Sequence, residues 1–197
     1  AVKKVETTYG ITNADSHVIK NMEWGAVAYL KQSKFGQGAT EVTINTKVYT
    51  GGGTGDAYKS NVSQSTTGNV YGVYDMNGGY WDNAMGIMLN SSNAFYTGST
   101  GLSSSLDPKY YDKYKYGSSK VQARGKLGDA TRETMKTYGT TKGGWYSNYA
   151  DFPYSSSIMI TRGGRYSHGA NAGEFALDYM TGAGGYNNTS RGSITAK

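Results

Sequence analysis

Arg162 to Phe175 reads RGGRYSHGANAGEF, and the way this stretch alternates glycine with chemically varied residues decides how the whole chain is read. Gly163, Gly164, Gly169 and Gly173 allow sharp turns or close backbone approach, while Tyr166, His168, Asn171 and Glu174 between them project contact chemistry. A tail rich in Gly, Tyr and Asn follows, from Asp178 to Thr189. Upstream, Asn69 to Gly86 reads NVYGVYDMNGGYWDNAMG, and read with the first stretch it points to a scaffold that displays a surface. In the 162–175 stretch the frame is fixed and the side chains vary.

The 197 residues suffice for one sizeable domain, and no composition shift divides them, so a single domain over 1–197 is expected. Its 29 Gly and 19 Tyr beside 17% charged residues resemble the composition of binding loops, where Tyr supplies rigid contact area and Ser, Gly and Asn adaptable hydrogen bonds. A merely loop-rich fold shares that composition. No apolar run approaches the roughly 20 residues that span a bilayer, and Ala1 opens no signal-like segment. The chain is therefore expected to be soluble and not membrane-embedded.

The absence of cysteine excludes disulfides, thiolate metal sites and a cysteine nucleophile. The formal charge of +6 is scattered, with only Lys3 and Lys4 adjacent, so no nucleic-acid partner is expected. The run Lys109 to Lys115, KYYDKYK, interleaves aromatic and basic residues but carries an acid inside it. His17 and His168 are the only histidines and stand in no nucleophile motif, which argues against a hydrolytic triad.

Two helices are predicted. Asp15 or Ser16 caps the first, Asp15 to Gln32, whose stripe is Val18, Ile19, Met22, Ala26, Tyr29 and Leu30. The second runs near Asp129 to Tyr138, with Asp129 as N-cap and Gly139 beyond its end. Candidate strands are Val2 to Thr8, Glu41 to Val48, Val70 to Asp75 and Ile158 to Arg162, and Ser91 to Ser105 reads as an exposed loop. Turns are expected at Gly51–Gly53, Asn77–Gly79, Gly143–Gly144 and Gly184–Gly185. Trp24, Trp81 and Trp145 are expected to pack structurally, with Tyr74 and Met76 in or beside the core.

The stretch Asn69 to Asp82 resembles the N-x-x-G-L-Y-D-M-x-G-N-V-W-E signature of the formylglycine-generating-enzyme-like branch of the C-type lectin fold. Arg162 to Tyr166 resembles the R-G-G-S-W segment that follows it there. Asn21 to Leu30, Gly125 to Thr131 and Gly144 to Ala150 extend the likeness in the same order. Within that branch the chain is most similar to variable proteins of diversity-generating retroelements, whose C-terminal R-G-G-x-Y-x-x-G-x-x-A-G-x-F frame carries the ligand-binding face. The resemblance implies an α+β, C-type-lectin-like fold: two helices around a small twisted antiparallel sheet with long loops. It departs at Ser190-Arg191-Gly192, where the family has a Phe, so the last strand is expected to end differently or to pair with another chain.

Carried over position by position, the resemblance places ligand contacts at Arg165, Tyr166, Ser167, His168, Asn171 and Glu174. They continue through Ala176, Asp178, Tyr179, Thr181, Tyr186, Asn187 and Asn188, within a variable-type segment 162–189. Arg162 is read as a buried frame residue bonded to loop carbonyls. The copper-binding cysteines of the enzymes on this scaffold are missing, so the expectation is a non-catalytic protein without cofactor. Asp75, Asp82 and Asn83 offer hard oxygens suited to calcium, with turn capping as the other reading of Asp75. The implied role is a phage receptor-binding tip or a bacterial surface adhesin, extracellular, binding a host-cell or environmental surface protein or glycan. The alternative is a structural subunit of a surface filament or phage appendage, associating as an oligomer or filament.

Overall fold

The structure is a computed structural model that describes residues 2–95, 102, 105–119, 125–137, 139–155, 157–182 and 185–197. It is a mixed α+β protein. A short helix α1 (Val5–Thr8) leads to strand β1 (Ala14–Val18) and the main helix α2 (Asn21–Gln32). Strands β2 (Trp81–Met88), β3 (Asp112–Tyr114), β4 (Met159–Gly163), β5 (Gly173–Met180), β6 (Asn188–Thr189) and β7 (Gly192–Ala196) follow.

The central sheet has the order β3-β2-β4-β5, with β6 added to β2. The sheet is mixed, since β2 runs antiparallel to β4 but parallel to both β3 and β6. This corrects the all-antiparallel expectation. Strands β1 and β7 form a separate antiparallel pair that joins the two ends of the described chain, Ala14 opposite Ala196 through Val18 opposite Gly192. The departure at Arg191 therefore ends in a pairing within the chain.

Helix α2 begins six residues later than the sequence suggests, because Ala14–Val18 is consumed by pairing with β7. At its start the Glu23 carboxylate accepts the Lys20 backbone N–H at 2.9 Å, the reciprocal half of a capping box. The expected stripe is also displaced around the helix. Met22, Ala26 and Leu30 face solvent, and the buried set is Asn21, Trp24, Gly25, Ala28 and Lys31. A tryptophan fully enclosed outweighs several smaller apolar groups, and Lys31 enters the core because Glu174 meets it there at 2.7 Å.

The second predicted helix is absent: the described part of 129–138 is a chain of turns, with Met135 bridging Gly144, and Tyr138 lies outside the described residues. Thr131 and Thr134 direct their hydroxyls to local backbone and carboxylate acceptors, which competes with helix formation. Val2–Thr8 is helical rather than extended, and Val70–Asp75 is turn and coil. Of Glu41–Val48 only Asn45 bridges, to Gly78. Ile158–Arg162 matches β4 within a residue. Residues 96–101, 103 and 104 of the expected loop, and Gly184 of the last expected turn, lie outside the described residues.

Two apolar clusters fill the interior. One lies along β2 and β4, with Ile87, Met88, Tyr114, Phe152, Ile158, Ile160 and Leu177. The other gathers Ile19, Trp24, Ala28, Met76, Ala130 and Phe175 beneath α2. Trp24, Met76, Tyr74 and Trp81 are all buried, as the sequence suggests, and Trp145 is partly buried against Phe175. Arg162 is fully buried, donates from Nη2 to the Ala130 carbonyl at 2.9 Å and lies 5.9 Å from the Trp24 ring. Burial lowers its pKa to about 10, which leaves it charged at neutral pH.

Candidate ligand-binding face

Gly163 and Gly164 turn the chain out of β4 with φ of +85° and +75°, a left-handed pair that a side chain would strain. After the extended Arg165, Tyr166–Asn171 then form an irregular 3-10 turn. The Tyr166 N–H donates to the Gly79 carbonyl at 2.8 Å, and the Tyr166 and Tyr80 rings meet edge to face at 6.2 Å. Arg165 Nε donates to His168 Nε2 at 2.9 Å, so that nitrogen carries no proton. Burial and the Arg165 charge both hold the His168 pKa below its ordinary value, consistent with a neutral ring. His168 also meets the Trp81 ring at 5.4 Å.

Trp81 is the hub of this end. It pairs with Asn188 through β6, and its N–H donates to the Asn187 carbonyl at 3.1 Å. Arg165, Tyr166, His168, Asn187 and Asn188 are thus drawn around Tyr80 and Trp81. Ser167, Thr181, Tyr186 and Asn187 are exposed, Tyr186 completely. An open cavity of about 440 Å³ is lined by Tyr166 together with Thr46 to Tyr49 and Gly52 to Thr54.

Glu174 and Ala176 do not belong to this surface, since both are fully buried. Strand β5 loses register between Arg162 opposite Leu177 and Gly163 opposite Gly173, which leaves Glu174, Phe175 and Ala176 without partners on β4. There Glu174 turns inward to Lys31, Gln32 and the Val42 N–H. Gly173 permits the Asn148 side chain to pack against this strand, because a Cβ on it would fall 2.1 Å from that side chain. Asp178 and Tyr179 are also separated, as neighbours on a strand point to opposite sides. Asp178 shares a side with Thr161 and Asn83; Tyr179 shares the other with Ile160 and Ala84, its ring 4.9 Å from Tyr154.

Of the calcium candidates, Asp75 and Asp82 line one polar cavity, but both carboxylates are already engaged by protein donors. Asp82 and Asn83 alternate across β2, and the Asp82 carboxylate is held by Arg191 and Thr189. Asp75, at a left-handed φ of 60°, accepts from the side chains of Asn45 and Thr50, which lie outside its own turn, so it is not a local turn cap. No cluster of three His, Asp or Glu side chains suited to a metal occurs among the described residues. His17 has a carboxylate that sequence reasoning missed: its Nε2 lies 2.9 Å from Glu23, on β1 and α2 and outside the Trp81 cluster. No helix among the described residues is long and apolar enough to cross a membrane.

Sequence reasoning also missed Tyr80, Tyr149, whose ring lies 6.1 Å from Trp81, and the 46–54 segment, none of which sits in the 162–175 frame. Tyr49 and Val48 are exposed apolar residues beside Gly51–Gly53, and that exposure is the signal a sequence cannot carry. No protein-family model matches the chain, and no curated protein matches it.

Behind the face, Glu41 accepts from Asn148 Nδ2 at 2.9 Å, close to the Lys31–Glu174 pair. Burial is the main cause that raises its pKa to about 7, aided by the Glu174 charge and opposed by Asn148 and Lys31. A carboxyl whose folded pKa exceeds the unfolded value of 4.5 adds stability at low pH that is lost as pH rises toward about 7. Glu41→Gln is therefore expected to stabilise the protein at pH 8 by about 1 kcal/mol, after discounting for partial exposure, and to leave pH 5 almost unchanged. Urea unfolding at both pH values checks this; equal effects at pH 5 and 8 would refute it.

Proposed function

We propose that the chain is a C-type-lectin-like, non-catalytic display domain that binds a protein or glycan on a host-cell or environmental surface, as a bacterial surface adhesin or phage receptor-binding tip does. The observation that carries this reading is the set of exposed, chemically varied side chains Tyr166, Ser167, Tyr186 and Asn187. They stand on irregular backbone tied to the sheet through Gly79 and Trp81. Loops anchored on a rigid scaffold are the usual place for recognition. The lectin-like part is supported by the convergence of motifs far apart in sequence: Trp24, Met76, Ala130 and Phe175 share one cluster, with Trp145 against it and the Arg162 guanidinium over Trp24. Low charge and abundant tyrosine suit such a surface.

The test is binding of the purified domain to a panel of bacterial cell surfaces, scored by flow cytometry beside thermal unfolding. Tyr166→Ala with Tyr186→Ala is expected to weaken binding about tenfold or more while the Tm moves by no more than about 2 °C. Tyr179→Ala is expected to behave oppositely, costing about 1–2 kcal/mol because its ring packs on Tyr154. Full binding by the Tyr166/Tyr186 variant would reject the face. Loss of a regular assembly, with no cell binding by the parent, would favour the filament-subunit role.

A further inference from the structure

Apart from Tyr166, the residues that line the cavity of about 440 Å³ belong to a segment outside the C-terminal frame. Val48 and Tyr49 project there, and neither the Tyr49, Tyr80 nor Tyr166 hydroxyl has a hydrogen-bond partner among the described residues. A second, more polar cavity of about 280 Å³ shares Val48 with the first and is lined by Thr50, Asp75, Tyr80, Asp82, Thr189 and Arg191. Both volumes are near or within the range of about 300–1,000 Å³ typical of small-ligand sites. An aromatic wall thus continues into a polar trough.

We propose that the two compartments form one cleft for a neutral saccharide, with a pyranose face on Tyr49 and Tyr166 and its hydroxyls in the trough of Thr50, Asp75 and Tyr80. This rests on the ligand-display reading and names the ligand chemistry and the residues beyond the C-terminal frame. The charges decide against an ionic ligand: Lys47 and Arg191 balance Asp75 and Asp82, so a ligand of either sign loses hydration without a net field to replace it. Each Asp75 oxygen already accepts one bond, from Asn45 at 2.8 Å and from Thr50 at 2.7 Å, which fixes the carboxylate and leaves further lone pairs for hydroxyl donors. A wholly apolar ligand would cover the rings but strand that carboxylate without water. A sugar ring has both an apolar C–H face and a rim of donors. Perpendicular rings at Tyr80 and Tyr166 give such a face two contact directions.

Saturation-transfer NMR with cellotriose, maltotriose, lactose and N,N′-diacetylchitobiose, each beside glucuronate, tests the assignment. Transfer to at least one neutral sugar is expected, concentrated on the C–H protons of one ring face, with less than about twofold change in affinity between low and high salt. Tyr49→Ala should weaken binding about tenfold without affecting the fold, since Tyr49 is 57% exposed. Asp75→Asn should also weaken it, with circular dichroism confirming an unchanged fold. No transfer to any neutral sugar, preferential binding of glucuronate, or full affinity in Tyr49→Ala would each overturn the proposal. The cell-binding assay separates the two readings. If Tyr166→Ala with Tyr186→Ala abolishes attachment while Tyr49→Ala and glycosidase treatment of the cells leave it intact, the display function stands and the saccharide cleft fails.

Discussion

Lys31→Met is expected to cost about 3–5 kcal/mol, because it leaves the Glu174 carboxylate buried without its counter-charge. Both side chains are fully enclosed, and Lys31 Nζ also donates to the Gly38 and Thr40 carbonyls. Glu174 would retain only the Gln32 amide and the Val42 N–H as donors. Burial already pushes the Glu174 pKa up, with Lys31 opposing; removing Lys31 raises it further. A raised folded pKa means stability is greatest at low pH and falls as pH rises, so the deficit of the variant should be largest at pH 8 and shrink toward pH 5. Adding Glu174→Gln to Lys31→Met should recover most of the loss, since a neutral amide keeps an acceptor for Val42 without a buried charge. Urea denaturation of the parent, both single variants and the double variant measures the coupling. A single variant within about 1 kcal/mol of the parent would show that the pair contributes little.

Trp24→Ala is expected to be as damaging, at about 3–5 kcal/mol. The indole is fully buried beneath the Arg162 and Arg191 guanidiniums, at 5.9 and 5.3 Å from their central carbons, and its Nε1 donates to the Glu174 carbonyl at 2.8 Å. Alanine leaves a cavity, removes the surface on which two cations rest and orphans that carbonyl. Trp24→Phe retains part of the packing and loses the hydrogen bond, so its cost should be clearly smaller, about 1–3 kcal/mol. Against a typical total stability of about 5–15 kcal/mol, the alanine variant should show a large shift in unfolding midpoint and weakened near-ultraviolet dichroism. Equal stability of the alanine and phenylalanine variants would show that indole volume is not what holds this cluster.

Much of the interior was legible because large aromatic and sulfur-containing side chains have few ways to avoid burial. Trp24, Trp81, Tyr74 and Met76 follow from composition and local apolar context, and β4 from its short apolar run. The boundaries of α2 were less legible. Asp15 and Ser16 look like caps in isolation, but they pair with Thr195 and Ile194 on β7, residues almost the whole chain away. Local pattern cannot register a partner at that distance. The buried stripe of α2 was misjudged for a related reason: Lys31 is polar by itself and becomes a core residue only when Glu174 is opposite.

The candidate face divides along the same line. The glycine frame of 162–175 marked where the backbone would turn, and Gly163 and Gly164 do adopt the left-handed conformations that make the turn. Projection of the side chains was a different matter. Counting along the frame treated Glu174, Ala176, Asp178 and Tyr179 as one surface. A register shift in β5 turns the first two inward, and strand alternation sends the last two to opposite sides.

The sequence by itself determined the absence of cysteine chemistry, the position of β4 and the aromatic anchors of the core, because these depend on residue type and short-range pattern. Only the tertiary structure decided that the chain ends pair as β1 and β7, that Lys31 and Glu174 neutralise each other inside, and that Tyr49 faces the same cavity as Tyr166. Each of these joins residues more than a hundred positions apart. Their energies arise from mutual burial and pairing, which have no value for either partner until the other arrives.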